Sequence, residues 1–310
     1  MGSHAFLDVA DGSATGHERQ TPVEGSKSRP SGSEIEQALL SFDPFANDKR
    51  YIRLNAELLR LLLRHSNPGR PFYHVLDLAC GTGLLTKLLV NASRFLGRGS
   101  QVVCLDPDRD SLQLAHKDLA TAPAAFVTGR AEGLPLASGV FDLVLFGNAI
   151  HLMKDKEMAV REIHRVLRPQ GLLAFNTTYY TGCYPEESKA FYLSWTKRAL
   201  ALLRDSRVQR QQKGLRSTAM DWLSPEQYRD ILEKTGFSTV YLGERIVGLL
   251  QKSLQAIASY RDFAQGALRV AESDLAAASR ALQRAVRPAL RDQGLKVLPR
   301  RWLEVIAQKG

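Results

Sequence analysis

Val75-Leu76-Asp77-Leu78-Ala79-Cys80-Gly81-Thr82-Gly83 is an apolar run that meets a carboxylate, then a Gly-x-Gly turn, with a helical pattern starting at Leu84. Glycine in such a turn lets the backbone bend tightly and approach a ligand at the carboxyl end of a strand. Around it, β-rich runs recur at His74 to Leu78, Gln101 to Leu105, Ala125 to Val127, Phe141 to Phe146 and Gly171 to Asn176. Helical patterns lie between them near Leu84 to Ser93, Arg109 to Leu119 and Lys156 to Leu167. This alternation predicts an α/β fold, a mostly parallel sheet with helices on both faces. Upstream, Ser33 to Ser41 and Tyr51 to His65 read as helices, the second stopped by Asn67-Pro68-Gly69. After Asn176 the alternation gives way to a helix carrying Phe191, Trp195, Ala199 and Leu202, and a capping-box serine, Ser224, opens another that Gly236 closes. Phe237 to Leu250 and Arg301 to Gln308 complete seven strands, with Gln251 to Val286 between them reading as one long helical stretch.

Two details narrow the ligand. The third glycine of a dinucleotide fingerprint is missing, since Thr86 stands in its place. Asp77 at the strand end would repel a pyrophosphate but complement a ligand bearing an ammonium and a sulfonium, which argues for S-adenosylmethionine over NAD. The next strand ends at Asp106, where an acid about 20 residues past the glycine turn is placed to accept both ribose hydroxyls. Asp-Pro-Asp is also good helix-capping chemistry, so Asp106 has two readings, ribose acceptor and N-cap.

From His74 to Thr177 the sequence resembles a class I S-adenosylmethionine-dependent methyltransferase, of the ubiquinone and menaquinone C-methyltransferase-like (type 11) branch. The likeness is carried by the glycine turn, by Leu105-Asp106, and by Gly129-Arg130-Ala131-Glu132-Gly133-Leu134-Pro135-Leu136. Phe141-Asp142-Leu143-Val144 and Glu162-Ile163-His164-Arg165-Val166-Leu167-Arg168-Pro169-Gln170-Gly171 extend it. It implies a Rossmann-like fold with S-adenosyl-L-methionine as cofactor. Asp77, Ala79, Gly81 and Gly83 would surround the methionine moiety, Asp106 with Pro107 the ribose, and Ala131 with Glu132 the adenine edge, while Asn148 would border the methyl group. Arg130 departs from the family, which usually has an acid there to accept from the adenine amino group; a guanidinium has no acceptor.

Methyl transfer asks a protein to align a nucleophile, exclude water and, for some acceptors, remove a proton. His151 and Tyr179 are the candidate catalytic residues, with His151 read either as a general base or as lining. Tyr51, Tyr180, Cys183, Phe191 and Trp195 are candidates for the acceptor pocket. Residues 178–221 and 251–299 read as helical cap insertions, and their apolar stripes suit either helix packing or a lipophilic pocket wall. The expected acceptor is a small lipophilic metabolite, a terpenoid, polyketide, quinone or similar, O- or C-methylated, and nearby arginines leave room for an anionic head group.

The chain has 310 residues, 44% hydrophobic and 24% charged, which suits one domain over residues 33–310 and excludes fibrous classes. The expected core is 71–177, 222–250 and 300–310, preceded by helices over 33–70, while the polar segment 1–32 reads as flexible. No apolar run is long enough to cross a bilayer and no signal peptide is visible, so a cytoplasmic location is expected. Cys80, Cys104 and Cys183 show no metal-binding spacing, and no metal site is expected. The net charge of +10, with eleven basic against five acidic residues from Gln251 to Gly310, leaves RNA methylation as the alternative, although no base-clasping tetrad follows the fourth strand, where Gly147-Asn148-Ala149-Ile150 stands. A nucleic-acid partner is therefore not expected, a non-catalytic cofactor-binding scaffold is the remote alternative, and a homo-oligomer is left open.

Overall fold

A computed structural model describes residues 40–66, 71–92, 95–204 and 221–310. The expected flexible segment 1–32, all but the end of the Ser33 to Ser41 helix, the Asn67-Pro68-Gly69 stop and the last part of the first insertion lie outside them. Seven strands form one sheet: β1 (Phe72–Leu78), β2 (Leu96–Asp106), β3 (Ala124–Thr128), β4 (Phe141–Gly147), β5 (Leu167–Thr177), β6 (Phe237–Leu249) and β7 (Leu298–Lys309). Their order is β3-β2-β1-β4-β5-β7-β6. β1 to β5 pair in parallel, and β7 runs antiparallel between β5 and β6. The order reverses between β1 and β4, and an open α/β sheet forms its ligand crevice beyond the strand ends at such a reversal.

The helices are α1 (Asp43–Ala46), α2 (Lys49–His65), α3 (Leu84–Asn91), α4 (Arg109–Asp118), α5 (Lys156–Val166), α6 (Glu186–Leu202), α7 (Pro225–Lys234), α8 (Gln251–Ala258), α9 (Arg261–Leu268) and α10 (Leu275–Asp292). Local chemistry sets their starts. Asp48 caps α2 by accepting from the Arg50 and Tyr51 amides, and Ser224 and Gln227 form the expected reciprocal capping box on α7. Asp108 accepts from Asp110 and Ser111 to cap α4, which leaves Asp106 free of that duty.

One expectation needs correction: Gln251 to Val286 is not a single helical stretch. It breaks at Ser259 and Tyr260 and again at Arg269, which takes the left-handed conformation with φ 53° before a short 3-10 turn, Glu272–Asp274. Leu268, Leu275 and Leu282 are nevertheless all buried, because the separate helices turn their apolar faces into one shared core. The repeat reported the buried face and carried no information about continuity of the axis.

That second core joins α6, α8, α9 and α10 to Phe45, Tyr51 and Leu54 from the N-terminal helices and to Trp302 of β7. It sets a helical cap beside the sheet. Trp195 of α6 donates its indole N–H to the Leu282 carbonyl of α10 at 2.8 Å, which latches the two insertions together. Among the described residues, no helix is long and apolar enough to cross a membrane.

The two glycines of the turn have different jobs. Gly83 has φ +79°, and a Cβ there would stand 2.7 Å from Leu119 Cδ1 and 3.3 Å from Ala115 Cβ, so it allows α3 to pack against α4. Gly83→Ala is expected to destabilise the fold by about 1–3 kcal/mol through left-handed strain and overpacking, read from a lower urea midpoint at unchanged slope.

Candidate functional site

A cavity of about 990 Å³ lies beyond the carboxyl ends of the parallel strands. Its inner end is built by the turn after β1. Asp77 is buried, with Oδ2 accepting from the Thr86 amide at 3.0 Å and the Thr86 hydroxyl at 2.7 Å. Its Oδ1 is also buried and accepts nothing. Burial, working against the Thr86 hydrogen bonds, pushes the Asp77 pKa up to about 7. Thr86, at the place of the missing third glycine, thus orients the carboxylate, a role the sequence reading did not assign.

Asp106 holds the turn from the next strand. Oδ2 accepts from the Gly81 amide at 2.8 Å and Oδ1 from the Asp108 amide at 2.9 Å, which leaves a lone pair on each oxygen for further donors. Ala79 and Asn148 both sit at positive φ, 52° and 50°, where the chain bends away from the ends of β1 and β4. A Cβ on Gly81 would meet nothing within 4 Å, so here the glycine leaves open space beside the cavity.

Asp77, Ala79, Gly81, Asp106, Pro107, Ala131, Glu132 and Asn148 all line this one cavity, and Gly83 does not. A ligand with an ammonium, a ribose and a flat base fits what is there: the free Asp77 oxygen, the two-sided Asp106 carboxylate and the space next to Gly81. At the adenine end, Glu132 Oε1 accepts from the Lys154 amide at 3.0 Å, while its buried Oε2 accepts no hydrogen bond and stands 3.8 Å from Arg130 Nε. Arg130 lines the same cavity, so the position carries a cation where the family expectation had an acid.

Toward the cap, the cavity is walled by Tyr51 and Asn55 of α2, by His151 and Tyr179, and by Ile257, Tyr260 and Arg261 of the second insertion. The cavity thus brings together Tyr51, a candidate for the acceptor pocket, and the two candidate catalytic residues His151 and Tyr179. The other acceptor-pocket candidates do not line it: Tyr180 and Cys183 pack into the core under the sheet, and Phe191 and Trp195 sit in the cap core. Trp195 turns toward Leu282 of α10 and Phe263, and Phe191 packs against Trp195, so both side chains are spent within the cap core, while Ile257, Tyr260 and Arg261 reach the cavity.

His151 is buried, its Nδ1 3.2 Å from the Thr177 hydroxyl and its ring 4.4 Å from that of Tyr179. Thr177 Oγ1 accepts from the Tyr179 amide at 3.1 Å, so one hydroxyl ties both candidates together. Burial, with the Lys156 and Arg300 cations, drives the His151 pKa down to about 3. The imidazole is thereby held in its neutral form near pH 7. Arg300 went unnoticed in the sequence, where it looked like one more basic residue near the C-terminus. Only the fold shows that Tyr179, Tyr184 and Tyr192 surround it.

Residues 76–175 match the family model described as a methyltransferase domain. A malonyl-[acyl-carrier protein] O-methyltransferase of Enterobacter lignolyticus is 35% identical over 124 residues, 40% of this chain and 46% of the relative. The ubiquinone/menaquinone biosynthesis C-methyltransferase of Hahella chejuensis is 39% identical over 103 residues, 32% of this chain and 40% of the relative. The chain thus spans less than half the length of these two relatives. Among solved structures, the YcgJ protein of Bacillus subtilis shares the fold with a TM-score of 0.50 at 13% identity, over 82% of this chain and 98% of that one.

Burial of His151 has a direct readout. In proton NMR titrations of the histidines, its imidazole signals are expected to stay at neutral-form positions from pH 8 to about pH 4, well below the usual histidine transition. A transition near the ordinary value would show that the ring is solvated.

Proposed function

We propose that this chain, whose residues 76–175 match the model of a methyltransferase domain, is a class I S-adenosylmethionine-dependent methyltransferase that methylates a small lipophilic acceptor bound under its helical cap. Support comes above all from Asp77 Oδ1, a buried carboxylate oxygen without a hydrogen bond in the wall of the cavity. An unpaired buried carboxylate is costly unless a cation meets it, and the ammonium of S-adenosylmethionine supplies one. When bound, that cofactor supplies an electrophilic methyl group on sulfur.

The chain's own residues then bind and align. Asp77 takes the ammonium, Asp106 the ribose hydroxyls, and the Ala131 backbone with Glu132 borders the adenine. Tyr51 and Asn148 are neighbours in the cavity wall, and burial holds the Tyr51 phenol well above its usual pKa, with the amides of Asn55 and Asn148 opposing the rise. His151 and Tyr179 form a neutral wall of two rings tilted by 37°, against which an aromatic or conjugated acceptor packs, a positioning duty rather than proton removal. Ile257 and Tyr260 from the cap cover the acceptor and exclude water.

By their names, the two relatives are an O-methyltransferase of malonyl-[acyl-carrier protein] and a C-methyltransferase of ubiquinone/menaquinone biosynthesis. The apolar cap favours a quinone-like, polyketide or terpenoid acceptor here. The polyanion alternative gains nothing from the site: Arg280, Arg284, Arg287 and Arg291 lie along the exposed face of α10, and none of them lines the cavity.

Transfer of labelled methyl from S-adenosylmethionine to pooled lipophilic metabolites tests the function, and label appearing only in RNA would overturn it. Asp106→Ala is expected to weaken S-adenosylhomocysteine binding by about 1.5–3 kcal/mol in calorimetry, the range for hydrogen bonds to a charged group, with the fold intact by circular dichroism. The pH dependence follows from Asp77, whose raised pKa keeps it protonated in the free protein at mildly acid pH. A cationic ligand selects the carboxylate, so affinity should be full above about pH 7 and fall by roughly tenfold per unit below it, and Asp77→Asn should remove that slope.

A further inference from the structure

Arg300 presents an unusual balance of charge. It is 3% exposed, and its guanidinium lies 4.0 Å from the ring centre of Tyr184, 5.3 Å from Tyr179 and 5.5 Å from Tyr192. Nε donates to Thr178 Oγ1 at 2.8 Å, Nη2 to the Thr178 carbonyl at 2.5 Å and Nη1 to the Tyr192 hydroxyl at 3.2 Å. Among the described residues no carboxylate comes within ion-pair distance of it. The groups around it are neutral, since burial holds the Tyr179, Tyr184, Tyr192 and Cys183 protons in place across the ordinary pH range. Ring faces and carbonyl oxygens stabilise a guanidinium, yet they do not cancel its charge.

The uncancelled charge reaches the cavity. The Tyr179 ring touches both groups, 5.3 Å from the Arg300 guanidinium and 4.4 Å from the His151 ring, and it lines the cavity with His151 whereas Arg300 does not. The other cation beside His151 is Lys156 of α5, whose Nζ donates to the Met153 carbonyl at 3.0 Å. Acids line the cavity too and Glu244 bears on Cys183, but none of them is among the charges that act on His151 or Tyr179. Asp155, Asp221 and Glu132 bear on Lys156, Asp77 bears on Tyr51, and Asp106 with Asp262 bears on Tyr260. The wall formed by His151 and Tyr179 is thus neutral in itself and backed by positive charge.

The geometry points to Arg300 as a positioning residue that, acting through Tyr179, makes this wall select an acceptor bound as its anion: a phenolate, enolate or carboxylate. The inference rests on the methyltransferase function proposed above and adds the acceptor's charge state. The acceptor gives its proton to bulk water on binding and reaches the methyl donor with its lone pair free, so the pocket needs no protein base. Charged groups interact strongly through a dry interior, and the tyrosine ring is a low-dielectric spacer that admits the field while keeping the guanidinium from contact with the acceptor.

The test uses the full chain saturated with S-adenosylhomocysteine, with 4-nitrophenol as probe because its absorbance reports its own ionisation, and with 4-nitroanisole as the matched ligand that has no proton to lose. Bound 4-nitrophenol is expected to ionise about one pH unit lower than in water and to bind about tenfold more tightly than 4-nitroanisole above that pH. Arg300→Met should erase most of the shift, and Arg300→Lys, which keeps the charge, should retain it. An unchanged shift in Arg300→Met, equal affinity for the two probes in the wild-type protein, or exclusion of both from the loaded protein would overturn the inference. The comparison of two probes on the wild-type chain stands even where Arg300→Met does not fold. Failure of S-adenosylhomocysteine itself to bind, seen by calorimetry before either probe is added, overturns the methyltransferase function instead and is separate from all of these.

Discussion

The burial of the Asp77 carboxylate is the constraint around which the rest of the site is arranged. Removing a carboxylate from water costs several kcal/mol unless donors or a cation replace the lost solvation. Thr86 replaces part of it at Oδ2, from a helix that can start where it does only because Gly83 adopts positive φ and packs flush against α4. Nothing replaces it at Oδ1. The free protein therefore keeps Asp77 largely protonated at mildly acid pH, and its contribution to stability declines as pH rises from the usual carboxylate range toward about 7. A cationic ligand reverses that relation, since the ionised form then has a partner. Asp106 tightens the same turn from the neighbouring strand, so cofactor side and fold share their hydrogen bonds.

Much of this could be read from the sequence, for identifiable reasons. All seven strands lie where the apolar runs put them, and the central parallel strands β1, β4 and β5, largely buried on both faces, leave the unbroken β-rich signature that competing patterns do not mimic. The cofactor side was legible for a related reason: Asp77, Gly81 and Asp106 sit at strand ends, where position along the strand fixes position in space. The two readings of Asp106 were separated only by geometry, when Asp108 proved to be the cap.

The cap was much less legible. Phe191 and Trp195 make a convincing apolar stripe, but a helix stripe names a buried face without naming what covers it, and α10 covers this one. Tyr180 and Cys183 follow β5 closely and still lie in the core, where a turn closed by the Cys183 amide donating to the Tyr180 carbonyl at 3.1 Å replaces the strand's alternation. Arg300 is the extreme case. Its partners come from residues 178 to 192, more than 100 positions away, and a sequence window sees only one arginine beside another. Thr86 is subtler: it was read as the absence of a glycine, when its hydroxyl is the strongest neutral donor to the central carboxylate.

Two buried charges of opposite sign border the cavity's two ends, and their separation has a consequence for turnover. Asp77 with a free oxygen stands at the cofactor end, and Arg300 with Lys156 stands behind the acceptor wall. A cationic methyl donor and an anionic acceptor match those ends before reaction. Methyl transfer removes both charges together, leaving a neutral thioether and a neutral methylated acceptor. The ammonium remains to hold the spent cofactor at Asp77, whereas the methylated acceptor retains no charge for the wall to attract. Under the proposal above, the same field that favours entry of an anionic acceptor has no charge left to attract once the methyl group has moved. Because an anion is also stabilised in its ground state by a nearby cation, direct contact with a guanidinium would slow the transfer it helps to prepare. Interposing the Tyr179 ring between Arg300 and the cavity lessens that penalty while preserving the bias in charge state, which gives a physical reason for the arginine to lie behind the wall instead of on it.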